Sequence, residues 1–202
     1  VTVARRRKAP VQARSRAMVE QILDASIRVL STSGYAQMST NRIADEAEVS
    51  VGSLYRYFAD KDEIFDELRA RVTDAILGDL TGAITDAAGR PPYDGVRAVV
   101  AALVASLQRH EPVMRALVNE LPLGTQSNVL PEIERGLAQF TRIYAVQQLP
   151  DLPRAELDAR IYLAMGVTLN SCLRIALERP ADLDEDHLID LVAGMLAIGL
   201  TA

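Results

Sequence analysis

An all-α fold is predicted by three features of the 202-residue chain. Aromatic residues make up only 4% and Trp is absent, so Ala, Leu, Val and Ile carry the apolar set, a mix that packs as aliphatic helix stripes rather than as strands. Apolar residues recur at three- and four-residue steps over most of the length, with no useful stretch of strand-like alternation. At 49% hydrophobic and 24% charged residues, the composition is that of an ordinary globular protein of one or two domains.

The first helix is expected from Ser15, as N-cap, through Met18, Ile22, Ala25, Ile27, Val29 and Leu30 to Ser33-Gly34, where glycine suits a helix end. Ser39 and Thr40 offer hydroxyl caps to a short second helix, Asn41 to Ala47, with Ile43, Ala44 and Ala47 on one face. A tight turn through Glu48, Val49 and Ser50 leads to a third, Val51 to Phe58, in which Leu54 and Phe58 are spaced i,i+4. Asp60 and Glu63, at capping-box spacing, open a long fourth helix through Ile64, Phe65, Leu68, Val72, Ile76, Leu77 and Leu80. Gly89-Arg90-Pro91-Pro92 breaks it near Ala88. Beyond the break, helices are expected at about 93–109, 111–120, 131–149, 154–179 and 184–200, about nine in all, with Pro112, Pro131 and Pro153 in first turns. Leu121 to Leu130 reads as the longest irregular stretch.

The net charge of −5 is unevenly spread. Residues 1–61 hold ten Lys and Arg against six acids, whereas the rest of the chain holds twelve against twenty-one. A basic head on an acidic body suits a polyanionic partner for the head alone; a charged arm without a partner fits the same count. A single cysteine, Cys172, allows no internal disulfide and points to a reducing compartment. It reads as a small core residue rather than a redox sensor. The N-terminal arm lacks the apolar core of an export signal, and the apolar stretch Leu191 to Ala202 is too short to span a bilayer, so the expectation is a cytoplasmic protein with no membrane partner.

Two short helices joined by a tight turn and backed by a preceding helix make a helix-turn-helix unit, whose second helix fits the major groove of DNA while the first crosses the backbone. Leu54 and Phe58 face a small core with Ile43 and Val49, which leaves Ser50, Val51, Gly52, Ser53, Tyr55, Arg56 and Tyr57 outward or at the rim. Glycine inside a helix costs about 1 kcal/mol relative to alanine, so Gly52 at a helix start indicates close approach to another surface.

The run Ile43-Ala44-Asp45-Glu46-Ala47-Glu48-Val49-Ser50-Val51-Gly52-Ser53-Leu54-Tyr55-Arg56-Tyr57-Phe58-Ala59-Asp60-Lys61-Asp62 resembles the DNA-binding domain of the TetR family of bacterial transcriptional regulators, over about residues 15–65. The resemblance implies a flexible basic arm (1–14), a helix-turn-helix head (15–60) and a helical ligand-binding and dimerisation body (61–202). It implies phosphate contacts from Thr40, Tyr55, Tyr57 and Lys61, and base-edge proximity for Asn41, Arg42, Val51, Gly52 and Ser53, with Ser50 beside them. The chemistry agrees: hydroxyl and ammonium donors fix register on the backbone, whereas Asn41 and Arg42 can bond purine edges. Head-core packing is the alternative for Tyr55 and Tyr57. The arm Arg5-Arg6-Arg7-Lys8 is expected to add diffuse attraction more than sequence readout. Two departures stand out. Val51 offers only a methyl contact where a polar or basic residue is common. Glu48 stands where glycine is common, so a left-handed backbone there would cost about 1–2 kcal/mol.

The last two predicted helices carry broad aliphatic stripes, from Leu157 to Ala176 and from Leu188 to Gly199, that need cover on more than one side. A homodimer built on a four-helix bundle supplies it; burial within the monomer is the alternative. The resemblance also implies an effector cavity. Candidate lining residues are His110, Met114, Asn119, Phe140 and Tyr144, followed by Tyr162, Met165, Asn170 and Arg174, which place polar or pliable groups within apolar helices. Each also has a plain structural reading, such as an Arg174–Glu178 pair or an Asn170 cross-link. His110 and His187 lack metal-ligand spacing, and neither a phosphate-binding glycine loop nor a Gly-x-Ser-x-Gly elbow occurs, so no metal, cofactor or catalytic site is expected. The expected function is a dimeric, ligand-responsive repressor on a palindromic operator, released by an unknown small molecule. The alternative is a helical small-molecule-binding or interaction protein whose head no longer binds DNA usefully.

Overall fold

The computed structural model describes residues 8–120, 133–138, 141–142 and 151–201. Among them every regular element is helical: α1 (Lys8–Ser33), α2 (Thr40–Glu46), α3 (Val51–Leu54), α4 (Lys61–Ala87), α5 (Pro92–Arg109), α6 (Glu111–Arg115) with a π-helical turn (Ala116–Glu120), α7 (133–138 and 141–142), α8 (Arg154–Glu178) and α9 (Glu185–Thr201). The all-α expectation holds for these residues.

Helix α1 begins seven residues before the expected Ser15 cap, and Ser15 lies inside it. Nothing in 8–14 opposes helix: Ala, Gln and Arg are good helix formers, and Pro10 sits in the first turn, where an amide has no intrahelical partner anyway. The arm therefore continues the helix from Lys8, and residues 1–7 lie outside the described set. At the other end Gly34 adopts φ +71° and donates to Leu30 O at 3.0 Å, the left-handed stop that glycine permits.

Helices α1 to α3 and the start of α4 enclose one core. Ile22, Ile43, Leu54 and Ile64 are fully buried there, joined by Leu30, Met38, Phe58 and Phe65. Polar ties hold α2 on α1: Gln21 Nε2 donates to Ala47 O at 2.7 Å and Arg28 Nε to Glu46 Oε1 at 2.5 Å. Helix α3 is shorter than expected, because after Leu54 the chain continues in turns that bring Phe58 N–H to Leu54 O at 3.1 Å.

Helix α4 starts as its cap dictates. Asp60 Oδ1 accepts from Glu63 N–H at 2.8 Å, while Glu63 Oε2 accepts from Ala59 N–H at 2.5 Å, one residue before the cap. It then runs unbroken away from the head and packs along α5, whose buried Val100, Leu103, Val104 and Leu107 extend the same connected core with Met114, Ile161 and Met165. Helix α9 lies on α5 through Arg97, which bonds Asp190 at 2.5 Å and Asp186 at 3.1 Å. Helix α6 touches α1 as well as α4, α5 and α8, so it joins the head helices to the rest.

By length and composition, α8 is apolar enough to cross a membrane, but its Leu157, Ile161, Met165, Leu169 and Cys172 face is buried against neighbouring helices, as in a core helix. Cys172 is completely buried, and burial pushes its thiol up to about 12, which keeps it unreactive.

Candidate nucleic-acid interface

The turn between α2 and α3 aims the second short helix. Ser39, rather than Thr40, caps α2, its hydroxyl accepting from Arg42 N–H at 3.3 Å. This frees Thr40, the first residue of α2, to pair its hydroxyl with that of Tyr55 at 3.1 Å. Ser50 caps α3: its Oγ accepts from Ser53 N–H at 3.1 Å and lies 2.8 Å from Ser53 Oγ. Leu54 and Phe58 turn inward with Ile43, and Val49 packs against them. Ser50, Gly52, Tyr55 and Arg56 are left exposed, with Tyr55 at 52% of its surface, whereas Val51, Ser53 and Tyr57 are half-buried. Val51 and Tyr57 lean on the core, so the two tyrosines divide between surface and packing roles.

A Cβ at Gly52 would meet no atom of the chain within 4 Å. Internal packing therefore does not require glycine at this position, and its open backbone faces outward. Asn41 and Arg42 are exposed on the adjoining face of α2, where Arg42 Nη1 also bonds Gln37 O at 3.3 Å.

Lys61 opens α4 with its Nζ 4.4 Å from the centre of the Tyr35 ring. The Tyr35 hydroxyl donates to Asp62 Oδ1 at 2.5 Å, and burial together with Asp62 raises its pKa. Tyr35 thus holds Lys61 at the edge of the face. Sequence reasoning passed over Tyr35; the available signal was an aromatic directly after the Gly34 stop.

Of the ten predicted residues, Asn41, Arg42, Ser50, Gly52 and Tyr55 are exposed, with Thr40 tied to Tyr55 and Ser50 to Ser53, whereas Val51 and Tyr57 pack on the core. Such a set can grip phosphates and reach a groove. Among the described residues no three His, Cys, Asp or Glu side chains gather as a metal set.

Residues 22–68 match the family model described as bacterial regulatory proteins, tetR family. The chain is 23% identical over 177 residues to the HTH-type transcriptional repressor KstR of Rhodococcus jostii, covering 88% of this chain and 81% of that one. It is 33% identical over 98 residues to the HTH-type transcriptional regulator BetI of Burkholderia ambifaria, about half of each chain. Among solved structures, a TetR-family regulator from Syntrophomonas wolfei superposes with a TM-score of 0.66 at 15% identity, covering 91% of this chain and 96% of that one. Over residues 22–68 the chain matches the tetR family of bacterial regulatory proteins, and transcriptional repressors are among its relatives.

Beyond the matched residues, the structure groups the expected effector residues less well. Tyr162 and Met165 line one open cleft of about 370 Å³ between α7 and α8, along with Glu134, Arg142, Asp158 and Ile161. Its charged rim, including an Arg142–Asp158 pair at 2.6 Å, had no sequence signal because the partners sit on different helices. Met114 is fully buried in the core near α5. Tyr162, Asn170 and Arg174 all point outward from α8, and no Arg174–Glu178 ion pair forms. Phe140 and Tyr144 lie outside the described residues, as does the side chain of Asn119.

His110 joins α5 to α6 with its Nε2 buried and without a hydrogen-bond partner. Burial, then Arg109, lowers its pKa, and Asp79 opposes them. Asp79 on α4 accepts from buried Ser106 at 2.5 Å and from Arg109 at 2.7 Å, bonds that hold its own pKa low. On the outer faces of α8 and α9, Leu163 and Val167, then Leu191, Met195 and Ile198, form exposed aliphatic rows at helical spacing, with Leu163 and Ile198 about two-thirds exposed.

Proposed function

We propose that this regulator is a homodimeric, ligand-responsive repressor that binds a palindromic operator in double-stranded DNA and is released by a small-molecule effector in the cytoplasm. The observation that carries the proposal is the outward strip centred on Gly52: an uncovered glycine, a Tyr55–Thr40 hydroxyl pair and Lys61 set on one edge. Thr40, Tyr55, Tyr57 and Lys61 hold phosphates, and Asn41, Arg42, Ser50, Val51, Gly52 and Ser53 lie along the base edges. One head (15–60) reaches few base pairs, so two heads on a dyad are required, and the aliphatic rows of α8 and α9 supply a self-complementary face for joining two bodies (61–202).

The route from effector to DNA runs through two elements. Helix α4 passes unbroken from the head into the body, and α6 contacts both α1 and α8. An effector that binds better to a body arrangement with displaced α6 shifts the spacing of the heads. Near-complete release requires a preference of about 5.5 kcal/mol between the two arrangements. The cleft beside Tyr162 and Met165, and the half-buried His110 with its enclosed Nε2, are the groups in the body best suited to meet an effector.

Selection on random duplexes, followed by salt titration of the enriched sequence, tests the reading. A palindromic product with steep salt dependence is expected. A flat response with no saturable complex would instead favour the helical interaction protein.

A further inference from the structure

The outer line of α8 is built symmetrically about its middle. At helical spacing its exposed residues run Glu156, Ala159, Leu163, Val167, Asn170 and Arg174, so an acid closes one end, an arginine closes the other, and mostly apolar groups lie between. Glu156 and Arg174 each stand nine residues from Met165. Among the described residues Arg174 makes no hydrogen bond or ion pair, although Glu178 lies one turn further on, and Asn170 is likewise unpartnered. Glu156 Oε1 accepts from Arg160 Nε at 2.9 Å, and a carboxylate has room for a further donor. Turning such a helix end over end exchanges its acid and its base, and that is the operation a two-fold axis performs.

We propose that two copies of this chain pack α8 antiparallel to α8 of the partner subunit about a dyad near Met165 and Gly166, so that Arg174 pairs with Glu156 of the partner subunit and Asn170 of the partner subunit closes the mouth of the cleft beside Tyr162. The inference rests on the homodimer reading above and fixes its register. Nine residues of helix span about 13.5 Å, so unlike charges meet at both ends of the contact. A crossing of about 20°, usual in helix bundles, parts the axes sideways by roughly 5 Å there, within reach of arginine and glutamate side chains. Leu163 then lies beside Val167 of the partner subunit. At the dyad a Cβ on Gly166 would meet no atom of its own chain within 4 Å, so the glycine leaves that space to the facing helix. A parallel pair would instead set Arg174 against the partner's Arg174 and Glu156 against the partner's Glu156, two repulsive contacts. The same register completes the cleft. Tyr162, 76% exposed, stands between the cleft wall of Asp158, Ile161 and Met165 and the outer row. It lies three to four residues from the dyad, which brings it opposite position 169 of the partner subunit, where Asn170 is the outward side chain. A molecule in the cleft therefore touches both copies.

Sedimentation of the full chain with reversed charges tests the register. Arg174→Glu is expected to weaken the dimer about tenfold or more, because the dyad repeats the repulsion at both ends, and Glu156→Arg is expected to do the same. Combined in one chain, the two reversals restore unlike pairs, and dimer affinity returns to within about threefold of wild type. Arg90→Glu makes the same change in net charge as Arg174→Glu at an exposed position between α4 and α5, and leaves the dimer unchanged. A second measurement does not depend on charge. Tyr162→Cys with Asn170→Cys should give a covalent dimer on mild oxidation, whereas either substitution alone should not, since like positions lie more than about 10 Å apart along the paired helices. Cys172 is completely buried and does not compete. The register is overturned if wild type is dimeric and Arg174→Glu dimerises equally well, or if the double reversal is no tighter than the single ones. It is also overturned if the paired cysteines give no covalent dimer, or if each cysteine alone crosslinks as well as the pair. A monomeric wild type overturns the homodimer reading itself, and the register falls with it.

Discussion

The head and the body of this chain are built from the same aliphatic helices, yet they differ in how function is encoded. In the head, ten predicted contact residues fall within twenty-two consecutive positions, Thr40 to Lys61, on two short helices and the turns beside them. In the body, the six described candidates from His110 to Arg174 scatter between a buried core, one cleft and an outer face. The difference follows from the partners. DNA is a regular lattice of phosphates and base edges, so a short, locally capped unit can complement it. An effector pocket is enclosed by helices distant in sequence, whose meeting points depend on packing.

Four variants sharpen or break this contrast. The largest effect is expected from Leu163→Glu with Ile198→Glu on the outer rows of α8 and α9. Sedimentation should show monomers, and operator affinity should fall by about 10²–10⁴ as the second head loses its effective concentration. An intact head on a monomeric body would show that the two regions fold separately but act together. Next, Leu54→Ala opens a cavity in the head core and is expected to cost about 2–5 kcal/mol in chemical denaturation. A single transition shifted as a whole would mean that head and body unfold as one unit; a separate early transition would mean that they do not.

Gly52→Ala should separate stability from binding. A Cβ there meets nothing in the chain, so helix propensity predicts a gain of up to about 1 kcal/mol in stability. Operator affinity is expected to fall at least tenfold, about 1.4 kcal/mol, if the methyl meets the groove wall. Unchanged affinity would remove glycine from the interface. The smallest effect concerns pH. Burial holds the His110 pKa below its ordinary value of 6.5, so the unfolded chain binds the additional proton first. Stability from this group is complete above about pH 6.5 and is lost as pH falls through the lower folded value. His110→Asn should flatten that slope in acid unfolding, whereas an unchanged slope would assign it to carboxylates such as Asp79.

Much of the head could be read directly because its signals are local. The Gly34 stop, the Asp60 cap and the inward pair Leu54 and Phe58 each act within a few residues. Glu48 belongs with them: a turn of fixed length forces its φ whatever residue occupies it. What was misjudged also has local causes. Ser39 competes with Thr40 for the α2 cap, and a good helix-forming arm lets α1 run past Ser15 to Lys8. The third helix reads longer than it is because turns after Leu54 keep the i,i+4 spacing of Phe58.

The remaining features required packing. Tyr35 meets Lys61 across 26 positions, Arg28 meets Glu46 across 18, and Asp79 meets Ser106 across 27. Residue type alone does not choose among the many partners such groups could find. The amino-acid sequence by itself determined the helical class and most of the caps and turns, since hydrogen bonds and apolar periodicity within a turn or two settle them. Tertiary structure alone decided which face of α8 is buried, where the π-helical turn lies, and how α6 comes to touch both α1 and α8. Those outcomes depend on how whole helices fill shared volume, and close packing is a property of the assembled set rather than of any segment.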